Sequence, residues 1–382
     1  MKAMGTLAQR DWRTLGCALV GSALLAFVVP SGPTLAQAPV AGTVAAPKLA
    51  PIPESKRKPV AIATTQVSQG QKIVTATHSF NVYVLQERDS APGTSPLARL
   101  AKEAGIEGQR KLALQMIGNS TVAQHWARGG GDNIVKKTLR GGGVDVLTLA
   151  PHRQMPEPAI DQFADLACQY NPNIRILAQV SWSAWDATTT NGTKPDGSRF
   201  RNEDHDTMTR EDLNGRVSAA AENYTLRLRK QLAGINERYG RSIGYVVPVS
   251  QGVIQLRLAV LDGKVPGAAK QSDLFGDAMG HPSRKNSSLA NLAEYIWFAT
   301  MYGKSPVGLK TFVKEGDADS AKVQRLLQEI ALDVVTREPM SGFPKNPSET
   351  PHPGVVTPSA NSTPAVPQRA SVLSTNASKT HP

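Results

Sequence analysis

The chain places serine, histidine and carboxylate side chains in short polar stretches, most of which directly follow an apolar run. Thr77-His78-Ser79-Phe80-Asn81 follows the first run, Gly118-Asn119-Ser120 and then Gln124-His125-Trp126 the second, and Ala150-Pro151-His152 the third. Ser181-Trp182-Ser183-Ala184-Trp185-Asp186 follows the fourth, and the stretch from Asp273 to Ser283, with Asp277 and His281, comes late in the chain. Serine with histidine and aspartate is the material of nucleophilic catalysis. A serine hydroxyl is a poor nucleophile at neutral pH. It needs a base within hydrogen-bond reach and a third group that orients the base. It also needs backbone N–H donors for the developing oxyanion, and glycine lets a substrate approach such donors closely. Ser79 and Ser120 are serines in these stretches, His281 is a histidine with Asp277 and Asp273 nearby in sequence, and Gly118 fits the oxyanion-donor role on chemistry alone.

Other side chains suit binding. His125, Trp126 and His152 are candidates to line a substrate pocket, with packing of a helix start as the alternative for His125-Trp126. Trp182 and Trp185 can stack a sugar ring or pack beneath a long loop. Glu203-Asp204-His205-Asp206 has cation-binding residue types, but mixed charge in a polar loop is usually solvated, so no metal site is expected. Cys17 and Cys168 flank a signal-peptide cleavage point, so the exported chain would keep one thiol and form neither an internal disulfide nor a thiolate zinc site. No phosphate-loop lysine motif and no Gly-x-Gly-x-x-Gly after a strand occurs, and no stretch interleaves basic and aromatic residues as a single-strand nucleic-acid platform would. Nucleic acid is therefore not an expected partner.

The elements that must position these residues alternate. Apolar runs at 72–76, 111–117, 144–149, 174–180 and 243–247 predict five strands. Helical patterns lie between and after them: 96–104 opened by Ser95-Pro96, 133–139, 158–170, 211–239, 253–261, 287–302 and 320–335. Strands separated by helices imply crossover connections and a mostly parallel sheet covered on both faces, a three-layer α/β fold. In such sheets ligands bind beyond the carboxyl ends of the strands, where the polar stretches fall. The basic residues Arg216, Arg227, Arg229, Lys230, Arg238 and Arg241 around the long helix read as a solvated face.

Three blocks in order resemble the SGNH (GDSL-type) hydrolases. Ile73-Val74-Thr75-Ala76-Thr77-His78-Ser79-Phe80 is similar to their first block, with the nucleophilic serine after the first strand. Ile117-Gly118-Asn119-Ser120 is similar to their second, whose glycine donates an oxyanion N–H. Asp277 to Ser283, followed by the helix 289–302, is similar to the last block with its Asp and His. The resemblance spans roughly 71–312. It implies a flavodoxin-like five-stranded parallel sheet, Ser79, His281 and Asp277 as catalytic residues, and an oxyanion held by the N–H groups of Ser79 and Gly118. It further implies ester cleavage through an acyl-enzyme with no cofactor. Ser120 is the rival nucleophile because Gly-Asn-Ser also resembles Gly-Asp-Ser, but choosing it strands the run 72–76 without a role. The chain departs from the family in three places. Thr77 stands where glycine precedes the serine by two. Ala278, not aspartate, stands three before His281. The Gly-x-Asn-Asp block is absent after the third strand, so the side-chain oxyanion donor is either missing or supplied elsewhere, with Asn119 as the candidate.

The 382 residues carry 43 Lys plus Arg against 31 Asp plus Glu, a formal charge of +12. Such a balance suits polyanion partners, whether nucleic acid, anionic lipid or acidic polysaccharide, but reads first as that of a plain basic soluble protein. Residues 1–38 read as a signal peptide, with Lys2, Arg10 and Arg13 before an apolar stretch 15–29 and small residues for cleavage near Ala36. That stretch is shorter than the roughly 20 residues of a membrane span, so no stable span is expected after cleavage. Residues 39–70 and 339–382 are rich in Pro, Ala, Ser and Thr and read as a disordered linker and tail around a folded unit 71–338. The composite expectation is an exported ester hydrolase for small-molecule or carbohydrate esters, acetylated carbohydrate foremost. The alternatives are an inactive binding module for polysaccharide on the same fold and an envelope-associated structural protein.

Overall fold

The computed structural model describes residues 49–345, apart from 88–90, 153 and 190; the expected signal peptide and Cys17 lie outside the described residues, as does the tail beyond 345. Five strands, β1 (Lys72–Thr77), β2 (Arg110–Met116), β3 (Val146–Leu149), β4 (Arg175–Gln179) and β5 (Gly244–Val247), form one sheet in the order β2-β1-β3-β4-β5. All four pairings are parallel. This is the flavodoxin-like strand order, and its reversal point lies between β1 and β3. The strands fall within a few residues of the apolar runs that predict them.

Parallel strands buried on both faces place alternate residues in opposite layers. Ile73, Val146, Leu177, Tyr245 and Val247 point into one core, while Val74, Leu147, Ile176, Ala178 and Val246 point into the other. The first core is closed by α1 (Val82–Leu85), α2 (Pro96–Glu103), α8 (Val249–Leu261), α9 (Ser288–Tyr302) and α10 (Ala318–Arg337). The second is closed by α3 (Val122–Ala127), α4 (Ile134–Gly141), α5 (Pro158–Tyr170) and α7 (Ser218–Tyr239), which a turn α6 (Arg210–Asp212) and a π-turn Leu213–Val217 precede. Helix α9 is buried along almost its whole length, because it lies under the sheet with α2, α8 and α10 against it. Cys168 is buried in α5, and burial pushes its thiol up to about 12, which leaves it unreactive.

The short helix α1 has no counterpart in the sequence-based expectation, whereas α3 carries His125-Trp126 as the helix-start alternative has it. The Val-Tyr-Val-Leu of α1 is strand-like by composition. It is turned into a helix by the backbone that leaves Ser79, where the N–H groups of Asn81 and Val82 both donate to the His78 carbonyl. The expectation of disorder for 39–70 and 339–382 also fails where these segments are described. The Ile52 N–H donates to the Arg238 carbonyl (2.7 Å), Thr65 to Gly342 (2.6 Å) and Val246 to Met340 (2.9 Å), and Thr65, Met340 and Ser341 are buried. A Pro-rich chain cannot build a core of its own, but it can lay its backbone donors and acceptors on one that already exists.

Candidate active site

Ser79 stands two residues beyond β1 and His281 in the loop before α9, yet His281 Nε2 lies 2.8 Å from Ser79 Oγ. On the other side of the ring, His281 Nδ1 lies 2.6 Å from Asp277 Oδ2. A carboxylate only accepts, so the imidazole proton sits on Nδ1 and Nε2 faces the serine as an acceptor. That is the tautomer a general base requires. Against the desolvation that would raise it, the hydrogen bond and charge of His281 and the backbone N–H groups hold the Asp277 carboxyl below its ordinary value, so it is ionised at neutral pH.

The loop absorbs the extra residue in the Asp-x-x-x-His spacing by wrapping around the carboxylate. Asp277 Oδ1 accepts from the N–H groups of Met279, Gly280 and His281 at 3.0–3.2 Å. Gly280 turns the chain with φ +98°, a region costly for any residue with a Cβ. The loop is closed at its base by the Gly276 N–H on the His281 carbonyl and the Ser283 N–H on the Leu274 carbonyl. It is braced from the side by Trp182, whose Nε1 donates to the Gly280 carbonyl at 2.9 Å. Asp273 takes no part. Its Oδ2 accepts from the Ala269 and Lys270 N–H groups and caps a neighbouring turn.

The serine turn is anchored from beneath. Gln179, at the end of β4, donates to the Phe80 carbonyl (3.2 Å) and accepts from Trp297 Nε1 of α9 (2.6 Å). The Phe80 ring packs between Trp182 (4.7 Å) and His281 (4.9 Å). His78 is buried, and burial, then the nearby His152, His125 and His281, push its pKa down to about 3. Its Nδ1 accepts from the Phe80 N–H at 3.2 Å, so the neutral ring carries its proton on Nε2, which has no hydrogen-bond partner.

Gly118 is level with Ser79 across the β1–β2 register. Thr77 pairs with Met116, and the Ile117 N–H donates to the Thr77 carbonyl at 3.0 Å, so each residue stands two beyond a paired position. Gly118 and Asn119 are exposed, and Asn119 has φ +52°. The turn is pinned by Ser120 and His125, both buried. Gln115 Nε2 donates to the His125 carbonyl (3.3 Å), which fixes the amide orientation, and lies 3.0 Å from His125 Nδ1. The His125 proton is therefore on Nε2 and points at Ser120 Oγ (2.8 Å), whose own proton goes to the Ile117 carbonyl (2.8 Å). Ser120 thus has a histidine neighbour of the wrong tautomer to act as its base. His125 takes the packed position that is the alternative to lining a pocket: it is a buried brace with its pKa pushed down to about 4 mainly by burial. The Trp126 ring packs edge-on to Phe163 (4.9 Å) with Lys136 Nζ 3.8 Å above it.

A cleft of about 430 Å³ opens beside the triad and is lined by His152, Trp182, Trp185, Tyr224, Arg227 and Ser250, among others. Three of the expected substrate-binding residues, His152, Trp182 and Trp185, therefore line one cleft. Neither Ser79 nor His281 lines the cleft, but its walls touch their neighbours: the His152 ring is 5.3 Å from His78, and Trp182 contacts Phe80 and Gly280 as above. Among the described residues no group of three or more His, Cys, Asp or Glu side chains is arranged to hold a metal. His205 of the Glu-Asp-His-Asp stretch is buried against Asp186 (3.0 Å), and Asp206 caps Ser272, so these residues tie the loop down. No described helix is long and apolar enough to cross a membrane.

No protein-family model matches the chain, and no curated protein matches it. A solved structure of a DUF4886 family protein from Bacteroides uniformis is similar at 11% identity with a TM-score of 0.43, covering 70% of this chain and 95% of that one. At that identity and score it assigns neither activity nor ligand.

Proposed function

We propose that this chain is an exported serine hydrolase of the SGNH type that cleaves an ester through an acyl-enzyme on Ser79. The observation that carries the reading is the continuous array Ser79 Oγ–His281 Nε2 and His281 Nδ1–Asp277 Oδ2, at 2.8 and 2.6 Å, built from segments about 200 residues apart in sequence. A packed surface histidine has no need of a serine on one nitrogen and a charged carboxylate on the other.

In this reading Ser79 Oγ attacks the ester carbonyl carbon while His281 Nε2 takes its proton. The negative charge that develops on the carbonyl oxygen is met by the N–H groups of Ser79 and Gly118, with Asn119 as the side-chain donor. Asp277 stabilises the imidazolium. Collapse of the tetrahedral intermediate expels the alcohol, which takes the proton from His281 Nε2, and water repeats the sequence on the acyl-enzyme. The reaction needs no cofactor. Export rests on the signal-peptide pattern of residues 1–38, and a carbohydrate ester as substrate rests on the two cleft tryptophans.

The test is serine-directed labelling with a fluorophosphonate. The expected result is stoichiometric labelling that Ser79→Ala and His281→Ala abolish. Absence of labelling, with the fold intact by circular dichroism, leaves the polysaccharide-binding module as the reading.

A further inference from the structure

The arginines around α7 do not share one fate. Arg216 pairs with Asp212, Arg229 with Glu222 and Glu338, and Arg238 with Asp161 and Asp165. Arg227 pairs with no carboxylate among the described residues. Its guanidinium reaches only the carbonyls of Asn223 and Met155, at 3.4 and 3.5 Å, distances at the limit of a hydrogen bond. One turn earlier on the same helix face, the Tyr224 hydroxyl is shielded from solvent and has no hydrogen-bond partner. Both side chains line the cleft beside the triad, and the residues before them on that face, Ala220 and Ala221, keep it open.

Another part of the cleft lining is built at a cost. Trp185, Asp186 and Ala187 have φ of +49°, +53° and +56°, three consecutive left-handed residues without a glycine, each disfavoured by roughly 1–2 kcal/mol. Such strain persists only where the surroundings over-determine it. Here Asp186 is buried and gripped by both guanidinium nitrogens of Arg257 (2.5 and 3.1 Å) and by His205. The turn brings Trp185, whose indole leans on Gly192, where a Cβ would come within 3.0 Å of Nε1, to the same cleft that Arg227 lines.

We infer that this cleft is a subsite for an acidic sugar, with the ring against Trp185, its carboxylate on Arg227 and a ring hydroxyl or carboxylate oxygen on Tyr224. The inference deepens the ester-hydrolase reading and rests on it only for the assignment of the sugar to the substrate. An unpaired guanidinium selects an anion, planar and two-pronged for preference. The Tyr224 hydroxyl, without a partner in the free protein, gains one if its side chain turns toward a ligand oxygen in the cleft. An indole face suits the C–H face of a pyranose, and Ser181, Ser183, Thr189, Asn191 and Ser250 supply polar groups around the rim. The formal charge of +12 draws an acidic polymer to the surface. Trp182 and His152 line the cleft and also touch Phe80, Gly280 and His78, the neighbours of Ser79 and His281, so in this inference the ester of a sugar so held is directed toward Ser79.

The experiment uses the full chain carrying Ser79→Ala, so that no turnover is needed, and follows intrinsic tryptophan emission. Cellobiouronic acid is titrated against cellobiose, which has the same rings without the carboxylate, and against a 6-sulfated cellobiose. The expected result is saturable binding of the uronic acid, at least about tenfold tighter than cellobiose and weakened by salt. Arg227→Gln should remove that preference and Arg227→Lys should restore part of it. Tyr224→Phe should weaken binding without lowering the melting temperature, because the hydroxyl it removes has no partner in the free protein. Equal binding of cellobiose, no effect of Arg227→Gln, or no saturable binding overturns the inference. Tighter binding of the sulfated ring overturns the carboxylate assignment. Because binding is read separately from fluorophosphonate labelling, a protein that binds uronic acid but is never labelled keeps the subsite and loses the hydrolase.

Discussion

Replacing Asp277 by asparagine separates the chemistry of the site from its folding. In the native loop Oδ1 accepts three backbone N–H groups and Oδ2 accepts the imidazole Nδ1–H. The asparagine Oδ1 keeps all three backbone bonds, so the loop holds its shape and the new amide nitrogen faces His281. That nitrogen can only donate. It turns Nδ1 into the acceptor and moves the imidazole proton to Nε2, where it points at Ser79 and cannot accept the serine proton. The same inversion in the trypsin triad lowers turnover about 10⁴-fold, or about 5 kcal/mol of barrier. Stability should barely move. Asp277 is 49% exposed and His281 28%, so the charged contact is screened and contributes at most about 1 kcal/mol, which for a domain this size shifts the melting temperature by roughly 2–4 °C. Asp277→Ala deserts the three backbone donors as well and should cost a further 2–3 kcal/mol, at about 1 kcal/mol per bond. Hydrolysis of a short-chain aryl ester measures the first effect and thermal denaturation the second. If Asp277→Asn keeps more than a tenth of wild-type turnover while His281→Ala does not, the carboxylate has no orienting role and the tautomer reasoning is wrong.

Ser120→Ala should leave fluorophosphonate labelling intact and lower stability by about 1–3 kcal/mol, since it orphans the buried His125 Nε2–H and the Ile117 carbonyl; loss of labelling at this variant would move the nucleophile to Ser120. Gly280→Ala should cost about 1–2 kcal/mol through its φ of +98° and reduce turnover by displacing His281; an unchanged melting temperature would contradict the left-handed turn. Acid should destabilise the fold. His78 and His125 stay neutral in the native state down to about pH 3 and about pH 4, whereas the unfolded chain protonates them below about 6.5. The unfolded state therefore binds more protons as pH falls from about 6.5 to about 4, and stability drops across that window. Urea unfolding of His125→Phe should show a shallower dependence there, and an identical slope would refute the assignment.

The five strands, the three layers and the position of the polar stretches at strand ends were legible in the sequence, because the period of apolar residues reports burial on both faces directly. The resemblance of three blocks to the SGNH hydrolases also singled out Ser79, His281 and Asp277. Their distances are a different matter: whether an Asp-x-x-x-His segment can close on a serine depends on Gly280 taking a left-handed turn and on Trp182 bracing it from another strand's loop. Ser120 and His125 show the opposite limit. By type and spacing they resemble a catalytic pair as much as Ser79 and His281 do, and only Gln115, buried across the turn, decides which nitrogen holds the proton and so makes them a brace. The arginines of α7 are alike in sequence, and packing alone gives a carboxylate to Arg229 and none to Arg227. Composition failed for residues 49–70 and 339–345, since it measures whether a segment can bury its own apolar surface and is blind to a finished surface on which it can lie. Periodicity fixes which side of an element is buried. Proton positions, ion-pair partners and the turns that bring residue 277 to residue 79 arise between elements, and only the assembled fold determines them.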